Sequence, residues 1–187
     1  MAGRLTPAVS GDGQEEGVMK TSILGTILLA CLLFAMTAAA DNETQRKTLA
    51  GLQAVYVTIE TLDSEVERDG LSESAIQTDV ELKLRQAGIP VLTHEQWLRT
   101  PGKAWLYLNV NVHKEPSWGG YVYGIKLHLI QGVMLTRAPR TITDAATWEA
   151  VGKVGIAGQA RLSSIRDSAK DMVDQFINAH LAANPKK

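Results

Sequence analysis

Two long runs of alternating apolar and polar residues occupy the middle of this chain of 187 residues. Alternation with a period of two is typical of a strand that buries one face. Residues 103–114 and 121–137 are therefore predicted to form an antiparallel hairpin. The side chains expected on its buried face are Leu106, Leu108, Val110, Val112, Ile125, Leu127, Leu129, Val133 and Leu135.

The pair Gly119-Gly120 fits a two-residue turn, because glycine accepts the positive φ that both central positions of such a turn need. In the register that this turn predicts, apolar side chains meet apolar ones and polar meet polar, as the pleat requires. A longer loop drawn from residues 116–120 remains an alternative. The pairs expected from the two-residue turn are Val112 with Leu127, Val110 with Leu129, Asn111 with His128, and His113 with Lys126.

Two other segments carry a single apolar stripe at helical spacing. The first helix is expected to begin at Ser74, with Gln77 completing a capping box, and to end at Gly88. The second is expected to run from Gln159 until Pro185 stops it. The stripes consist of Ile76, Val80, Leu84 and Ala87 in the first helix, and of Leu162, Ile165, Ala169, Met172, Val173, Phe176, Ile177 and His180 in the second.

Shorter segments complete the predicted fold. The alternating residues 52–62, the apolar run 89–92 and part of 141–151 are expected to be strands, and Thr93 is expected to cap one helical turn that carries Trp97. We therefore predict an α+β fold, a two-layer sandwich in which a mostly antiparallel sheet of four to five strands carries two amphipathic helices on one face. The segments expected to be loops are 63–72 and 152–158.

Residues 21–40 contain no charge, follow a lysine and end in three alanines. This pattern is typical of a secretory signal peptide, with Ala38 and Ala40 as the small residues at the cleavage site and Asp41 as the first residue of the mature chain. Two alternatives stay open. The segment is long enough to remain as a membrane anchor, with the rest of the chain facing the periplasm. Cys31 lies in an approximate lipoprotein box, so lipidation there is the second alternative.

The residues before this segment are polar and acidic, unlike the start of a signal peptide, and Met19 is the predicted true start. The expected organisation is a non-native or disordered extension at 1–18, a signal peptide at 19–40 and one domain at 41–187, in a bacterial protein exported to the periplasm or the extracellular space. After residue 40 the chain has equal numbers of acidic and basic residues and no cysteine. This balance argues against nucleic acid as a partner and leaves membrane contact to the amino-terminal segment alone. A disulfide framework is excluded.

The histidines do not form a convincing catalytic or metal site. His94 precedes a glutamate, but Leu98 stands where a zinc protease needs its second histidine. His113 and His128 could begin a metal or hydrolase site with Glu60, yet further ligands and a nucleophile are missing. An ordinary polar sheet face is therefore the preferred interpretation. We predict no catalytic residue, no metal ligand and no cofactor, so an enzyme is the less favoured class.

Aromatic and amide side chains cluster along the hairpin and its turn. Tyrosine and tryptophan suit binding because each offers a large rigid surface with a polar tip. This hairpin face is the predicted surface for a protein partner, with packing under the loops or against the last helix as the alternative for some members. The candidate residues are Trp105, Tyr107, Asn109, Asn111, His113, Trp118, Tyr121, Tyr123, Lys126 and His128.

The segments LKLRQAGIPVL, WLYLNVNV and VDQFINAHLAANPK resemble those of a family of small exported bacterial proteins, a resemblance that spans most of residues 50–187 and implies no activity. The strand–helix–strand opening is more distantly similar to cell-envelope modules such as the amino-terminal domain of TolB and the outer-membrane assembly lipoproteins. That second resemblance is topological, and no functional residue is carried over from it.

Three functions are compatible with these features. The preferred hypothesis is an exported, non-catalytic module of the cell envelope that binds another envelope protein, with its oligomeric state left open. The alternatives are a small periplasmic hydrolase that uses His113 or His128 with Glu60, and a protein that holds an apolar ligand between helices and sheet.

Overall fold

A computed structural model describes residues 42–185, and the predictions for the extension, the signal peptide and its cleavage lie outside the described residues. The predicted α+β class and the mostly antiparallel sheet are confirmed. None of the helices in 42–185 combines the length and the apolar character needed to cross a bilayer. The elements are α1 (Glu43–Lys47), β1 (Tyr56–Ile59), α2 (Ser64–Arg68), α3 (Glu73–Gln86), α4 (His94–Arg99), β2 (Trp105–Glu115), β3 (Gly120–Leu135), β4 (Ala138–Glu149), β5 (Lys153–Gly158), a 3-10 turn (Gln159–Arg161) and α5 (Ser163–Ala183).

The sheet is built around β3. Its neighbour on one side is β2, which in turn pairs in parallel with β1. On its other side the first half of β3 pairs with β5 and the second half with β4, so β4 and β5 lie end to end along one edge. The opposite edge, at β1, is partly covered. Val91 forms a parallel bridge with Val55, and the Gln77 side chain lies 3.5 Å from the carbonyl oxygen of Val57.

The predicted buried faces are confirmed in their central part, whereas Val112, Val133 and Leu135 of the hairpin are only partly buried. Alternate residues of β1, β2 and β3 form the core with the apolar stripes of α3 and α5. Both long helices therefore lie against the same face of the sheet. Within residues 42–185 the other face carries only the short helix α4, near the start of β2. The buried sheet residues include Val55, Val57, Ile59, Leu106, Leu108, Val110, Ile125, Leu127 and Leu129.

The hairpin register expected from the two-residue turn is wrong by four residues, and the turn is close to the longer loop within residues 116–120 that was the alternative. Glu115 pairs with Gly120, and the turn contains the four residues 116–119 with Gly119 at a φ of +69°. Gly120 serves a different purpose from the one predicted, since a side chain there would collide with the ring of Trp118, which lies over it. Because the shift is even, every side chain keeps its face and only its partners change. The pairs observed are Val112 with Tyr123, Val110 with Ile125, Asn111 with Gly124, and His113 with Val122.

Several element boundaries also differ from the predictions. The cap of α3 is Ser72, whose hydroxyl accepts the backbone N–H of Ala75, so Ser74 lies inside the helix. The expected loop 63–72 contains α2, capped by Asp63. Segment 89–92 forms the single bridge with β1 instead of a full strand. The turn after Thr93 and the end of α3 at Gly88, with a φ of +80°, are as predicted.

The glycine-rich segment predicted as a connector is strand β5. Gly155 pairs with Tyr123, and a β-carbon at Gly155 would lie 2.6 Å from the tyrosine ring. The ring has little freedom to move, because Tyr123 is buried and its hydroxyl is 3.2 Å from the hydroxyl of the buried Ser168. The glycine is therefore required by the close approach of an aromatic side chain, which a sequence pattern alone does not reveal.

Replacing Gly155 with alanine is expected to lower the free energy of unfolding by about 1–3 kcal/mol, since the new methyl group would overpack the core beside Tyr123. The matched control is Gly158→Ala in the same strand, where a β-carbon meets nothing within 4 Å. That variant is expected to change stability by less than about 0.5 kcal/mol. Urea unfolding of both variants measures the difference, and equal stabilities would contradict the packing described for Gly155.

Candidate functional site

The face of the sheet opposite the long helices, here called the open face, carries most of the predicted partner residues. Its side chains come from alternate positions of β2, β3 and β5, because successive residues of a strand point to opposite faces. Its members are Trp105, Tyr107, Asn109, Asn111, His113, Val122, Lys126, His128, Ile130, Val154 and Ile156.

Two of the predicted surface residues are in the core instead. Tyr121 and Tyr123 have the same parity as Ile125 and Leu127, so their side chains point toward the helices and are buried. Trp118 is at the hairpin turn, as expected, and about half of its surface is exposed above Gly120. The aromatic cluster proposed from the sequence is thus divided between the two faces of the sheet.

A depression of about 420 Å³ lies on the open face where β2, β3 and β5 run side by side. Its floor is formed at Gly124, which has no side chain and around which a β-carbon would meet nothing within 4 Å. In the row across the strands, Gly124 stands between Asn111 and Val154. The residues that line the depression are Asn111, Val112, His113, Val122, Tyr123, Gly124 and Val154.

Exposed apolar side chains border this depression. Val122 is 42%, Ile156 73% and Val154 82% exposed. Val122 and Ile156 are paired across neighbouring strands, next to His113 on β2, and the half-exposed Trp118 belongs to the turn that joins β2 to β3. We call Trp118, Val122, Val154 and Ile156 the apolar patch. Sequence analysis missed Val154 and Ile156, because they alternate with glycines in a segment predicted to be a loop.

A second aromatic group lies near the start of β2. Trp97 of α4 stacks on Tyr56, with ring centroids 5.4 Å apart, and meets Trp105 edge-on at 5.6 Å. Its indole N–H donates to the carbonyl oxygen of Lys103 at 2.7 Å, which holds α4 against the sheet. His94 contacts both Tyr56 and Trp97. These contacts give His94 and Trp105 a packing role that limits their availability to a partner.

Two polar residues of the open face have partners within the chain. The Tyr107 hydroxyl donates to Oε2 of Glu60 at 2.7 Å, and this hydrogen bond to a carboxylate raises the pKa of Tyr107 above its usual value. His128 lies beside Glu149, with Nδ1 of the imidazole 3.6 Å from Oε2 of the carboxylate. The Tyr107 hydroxyl is satisfied within the chain, whereas the buried Nδ1 of His128 makes no hydrogen bond, because 3.6 Å is too long for one.

The histidines considered for catalysis are far apart. His113 is opposite Val122 and His128 is opposite Tyr107, so six residues of β3 separate the two rows, about 20 Å along an extended strand. Among residues 42–185, no three His, Cys, Asp or Glu side chains come close enough to hold a metal ion together. The arrangement of His113, His128 and Glu60 therefore does not assemble the metal or hydrolase site considered from the sequence.

Charged groups with shifted pKa values gather on the helix side, at the end of the sheet. Lys114 Nζ lies 2.8 Å from Oδ2 of Asp69 and 3.3 Å from Glu65, and the hydroxyl of the buried Tyr121 donates to the same Asp69 oxygen. The hydrogen bond from Lys114, followed by that from Tyr121, lowers the pKa of Asp69. Burial, then the bond to Asp69, raises the pKa of Tyr121, and the Asp69 carboxylate raises that of Lys114. The cluster fastens α2 to the sheet.

Because the pKa of Asp69 is lower in the folded chain than its ordinary value of about 3.9, its ionised form stabilises the fold above that pH. This stabilisation is expected to disappear as the pH falls through the lowered pKa. Asp69→Asn should therefore reduce the thermal unfolding midpoint at pH 7, with a difference from wild type that shrinks below about pH 4. Glu67→Gln, an exposed carboxyl of the same helix, is the control. A difference for Asp69→Asn that is independent of pH would contradict this role.

No family model matches the chain, and no curated protein matches it. Among solved structures, the chain is similar to two PelC dodecamers from Paraburkholderia phytofirmans. One, a point variant in space group C2, is 14% identical, covers 70% of this chain and 90% of its own, and has a TM-score of 0.40. The other, in space group P6, is 16% identical, covers 72% and 88%, and has a TM-score of 0.37. The resemblance to TolB and assembly lipoprotein modules stays a prediction.

Proposed function

We propose that this chain is a non-catalytic module of the bacterial cell envelope that binds another envelope protein through the apolar patch and the depression beside it. The observation that carries the proposal is the exposure of Val154 and Ile156 on a sheet face that the long helices leave uncovered. A contiguous group of exposed apolar side chains next to polar ones is typical of a protein interaction site.

The energetics favour a protein partner. Full burial of an exposed valine or isoleucine side chain contributes about 1.5–3 kcal/mol, so Val154 and Ile156 together could supply a substantial part of a binding free energy. Binding sites depend on a few such anchors surrounded by polar residues that orient the partner. Asn111 and His113 lie at the border of the depression and are the polar groups in a position to do so.

The shape of the depression favours an inserted side chain. The floor of the depression lies at Gly124, where the side chain of any other residue would fill the space. Its border combines the apolar Val122 and Val154 with the polar Asn111 and His113. We infer that an apolar or aromatic side chain of the partner enters over Gly124, while its backbone approaches Asn111.

Export is the second part of the proposal, and its support comes from the sequence. Residues 19–40 have the pattern of a signal peptide, which would place the domain in the periplasm or the extracellular space. Retention as an anchor facing the periplasm and lipidation at Cys31 remain the alternatives. Each of the three leaves the apolar patch on the outer side of the cytoplasmic membrane.

The patch is tested by replacing Ile156 with lysine in the tagged full-length chain and by crosslinking in intact cells. Since a charged side chain cannot be buried at such an interface without a partner, recovery of the crosslinked protein is expected to fall about tenfold or more, which corresponds to about 1.4 kcal/mol. Mass spectrometry identifies the captured protein and the amino terminus of the mature chain.

The matched control is Leu82→Lys on α3, which adds the same charge at an apolar residue that is 51% exposed and lies away from the open face. This variant should capture the partner as wild type does. Equal capture by all three proteins would refute the proposed surface, provided that their circular dichroism spectra agree. Recovery of the protein in the cytosolic fraction of the cells would refute export.

A further inference from the structure

Two exposed apolar side chains lie side by side at the end of the sheet where β3 turns into β4. Met134 on β3 is paired with Ile142 on β4, and the two residues are 67% and 72% exposed. They are separate from the apolar patch, which lies beside the first half of β3. Exposed apolar residues that adjoin one another can mark a contact with a protein or with a membrane, and their neighbours indicate which.

The loop between α4 and β2 reaches the same place. The N–H of Gly132 donates to the carbonyl oxygen of Gly102 at 2.8 Å. A β-carbon at Gly132 would lie 3.5 Å from that oxygen and 3.8 Å from Cγ2 of Ile142. The loop is held to α4, because the indole N–H of Trp97 donates to the carbonyl oxygen of Lys103. Segments 99–103 and 134–142 therefore form one surface, here called the end surface.

The end surface carries positive charge and no negative charge. All four of its basic residues are exposed, and none of them forms an ion pair within residues 42–185. The nearest carboxyls along the chain, those of Glu95 and Asp144, lie just beyond the two segments. The basic residues are Arg99, Lys103, Arg137 and Arg140. Since the fold brings two distant segments together, the equal numbers of acidic and basic residues after residue 40 do not reveal this cluster.

Two of the basic residues stand on irregular backbone. The register of β4 breaks between Ala138 and Ile142, so Arg140 lies in a bulge with no partner on β3. Lys103 has a φ of +41° and is the only residue other than glycine in 42–185 with a positive φ. Glycine would adopt this conformation without strain. A strained residue of this kind is found mostly at functional positions, which favours a use for the charge of Lys103.

Both ends of the described chain lie near the end surface. The side chain of Gln131 donates to the carbonyl oxygen of Thr48 at 3.2 Å. The side chain of Asn184 accepts the N–H of Gly51, shortly before β1, and β1 begins beside the start of β2 because the two strands are parallel. In the sequence, the uncharged segment 21–40 ends two residues before the described chain begins, and two lysines follow its last residue. Attachment of segment 21–40 to a membrane would therefore hold this end of the domain near the lipid.

We propose that the end surface docks on a bilayer that contains anionic lipids, contrary to the expectation from the net charge. Met134 and Ile142 enter the boundary between headgroups and acyl chains, and the four basic residues contact the headgroups. Basic side chains attract an anionic membrane, while apolar ones add the buried area that keeps a domain at its surface. The nearby segment 21–40 favours lipid over an acidic protein. Because the end surface is separate from the apolar patch, this inference does not depend on the proposed protein partner.

The test measures local contact with lipid, because segment 21–40 would carry every variant of the full-length chain to a vesicle. With Cys31→Ser to remove the natural thiol, Ile142→Cys is labelled with an environment-sensitive fluorophore and reconstituted in two kinds of vesicle. Its emission is expected to shift to the blue with mixed phosphatidylglycerol and phosphatidylcholine, relative to phosphatidylcholine alone. The control label, at Leu82→Cys on α3, replaces a residue that is 51% exposed and lies away from the open face, and it should not shift.

Charge removal supplies the second arm. In the labelled Ile142→Cys background, Arg137→Glu combined with Arg140→Glu should lower the docked fraction at least about tenfold. Lys103→Gly should also lower it without reducing the thermal unfolding midpoint, because glycine relieves the positive φ. Ile156→Lys, which disrupts the apolar patch, should leave the blue shift unchanged.

A blue shift that needs the anionic lipid and is lost on charge reversal supports the docking. The proposal is overturned by the absence of a shift at position 142, by equal shifts in the two kinds of vesicle, or by equal shifts at positions 142 and 82. It is also overturned by a shift that survives the charge reversal, or by one that occurs without vesicles, which would indicate that a second copy of the chain covers Ile142.

Discussion

The structure depends on the length of β3. Its sixteen residues pair along one side with β2 and along the other with β5 and then β4, so one strand brings three others into register. Its alternate side chains Ile125, Leu127 and Leu129 form the centre of the core beneath α3 and α5. Because both long helices lie against this single face, the described part of the chain leaves the polar side of β3 uncovered except where α4 lies near the start of β2.

The uncovered face combines two kinds of surface. Near the start of β2 it is closed by α4, where Trp97 packs on Tyr56 and Trp105. Toward the hairpin turn it is open, and β5 adds Val154 and Ile156 beside the space above Gly124. Gly124 leaves space in the middle of β3, and the large apolar side chains beside this space are exposed. The proposed binding site needs both features.

The sequence predicts which face of the sheet a residue occupies better than it predicts which residue lies opposite it on the neighbouring strand. Period-two alternation decides the face, and an even error in register leaves it unchanged, so the core was predicted while the pairs of Val112 and His113 were not. Residue type places Tyr121 and Tyr123 on the surface, although their parity with Ile125 places them in the core, where the structure has them. Local rules failed where tertiary contacts decide, as at Gly155, whose role depends on a tyrosine from another strand.

The bridge from Val91 to Val55 and the Gln77 side chain near the carbonyl oxygen of Val57 have a joint consequence for the edge of the sheet. A strand from another molecule can pair only with a continuous row of unpaired N–H and C=O groups. On the outer side of β1 this row is interrupted at Val55 and at Val57. The short parallel strand at this edge is thereby shielded from edge-to-edge aggregation.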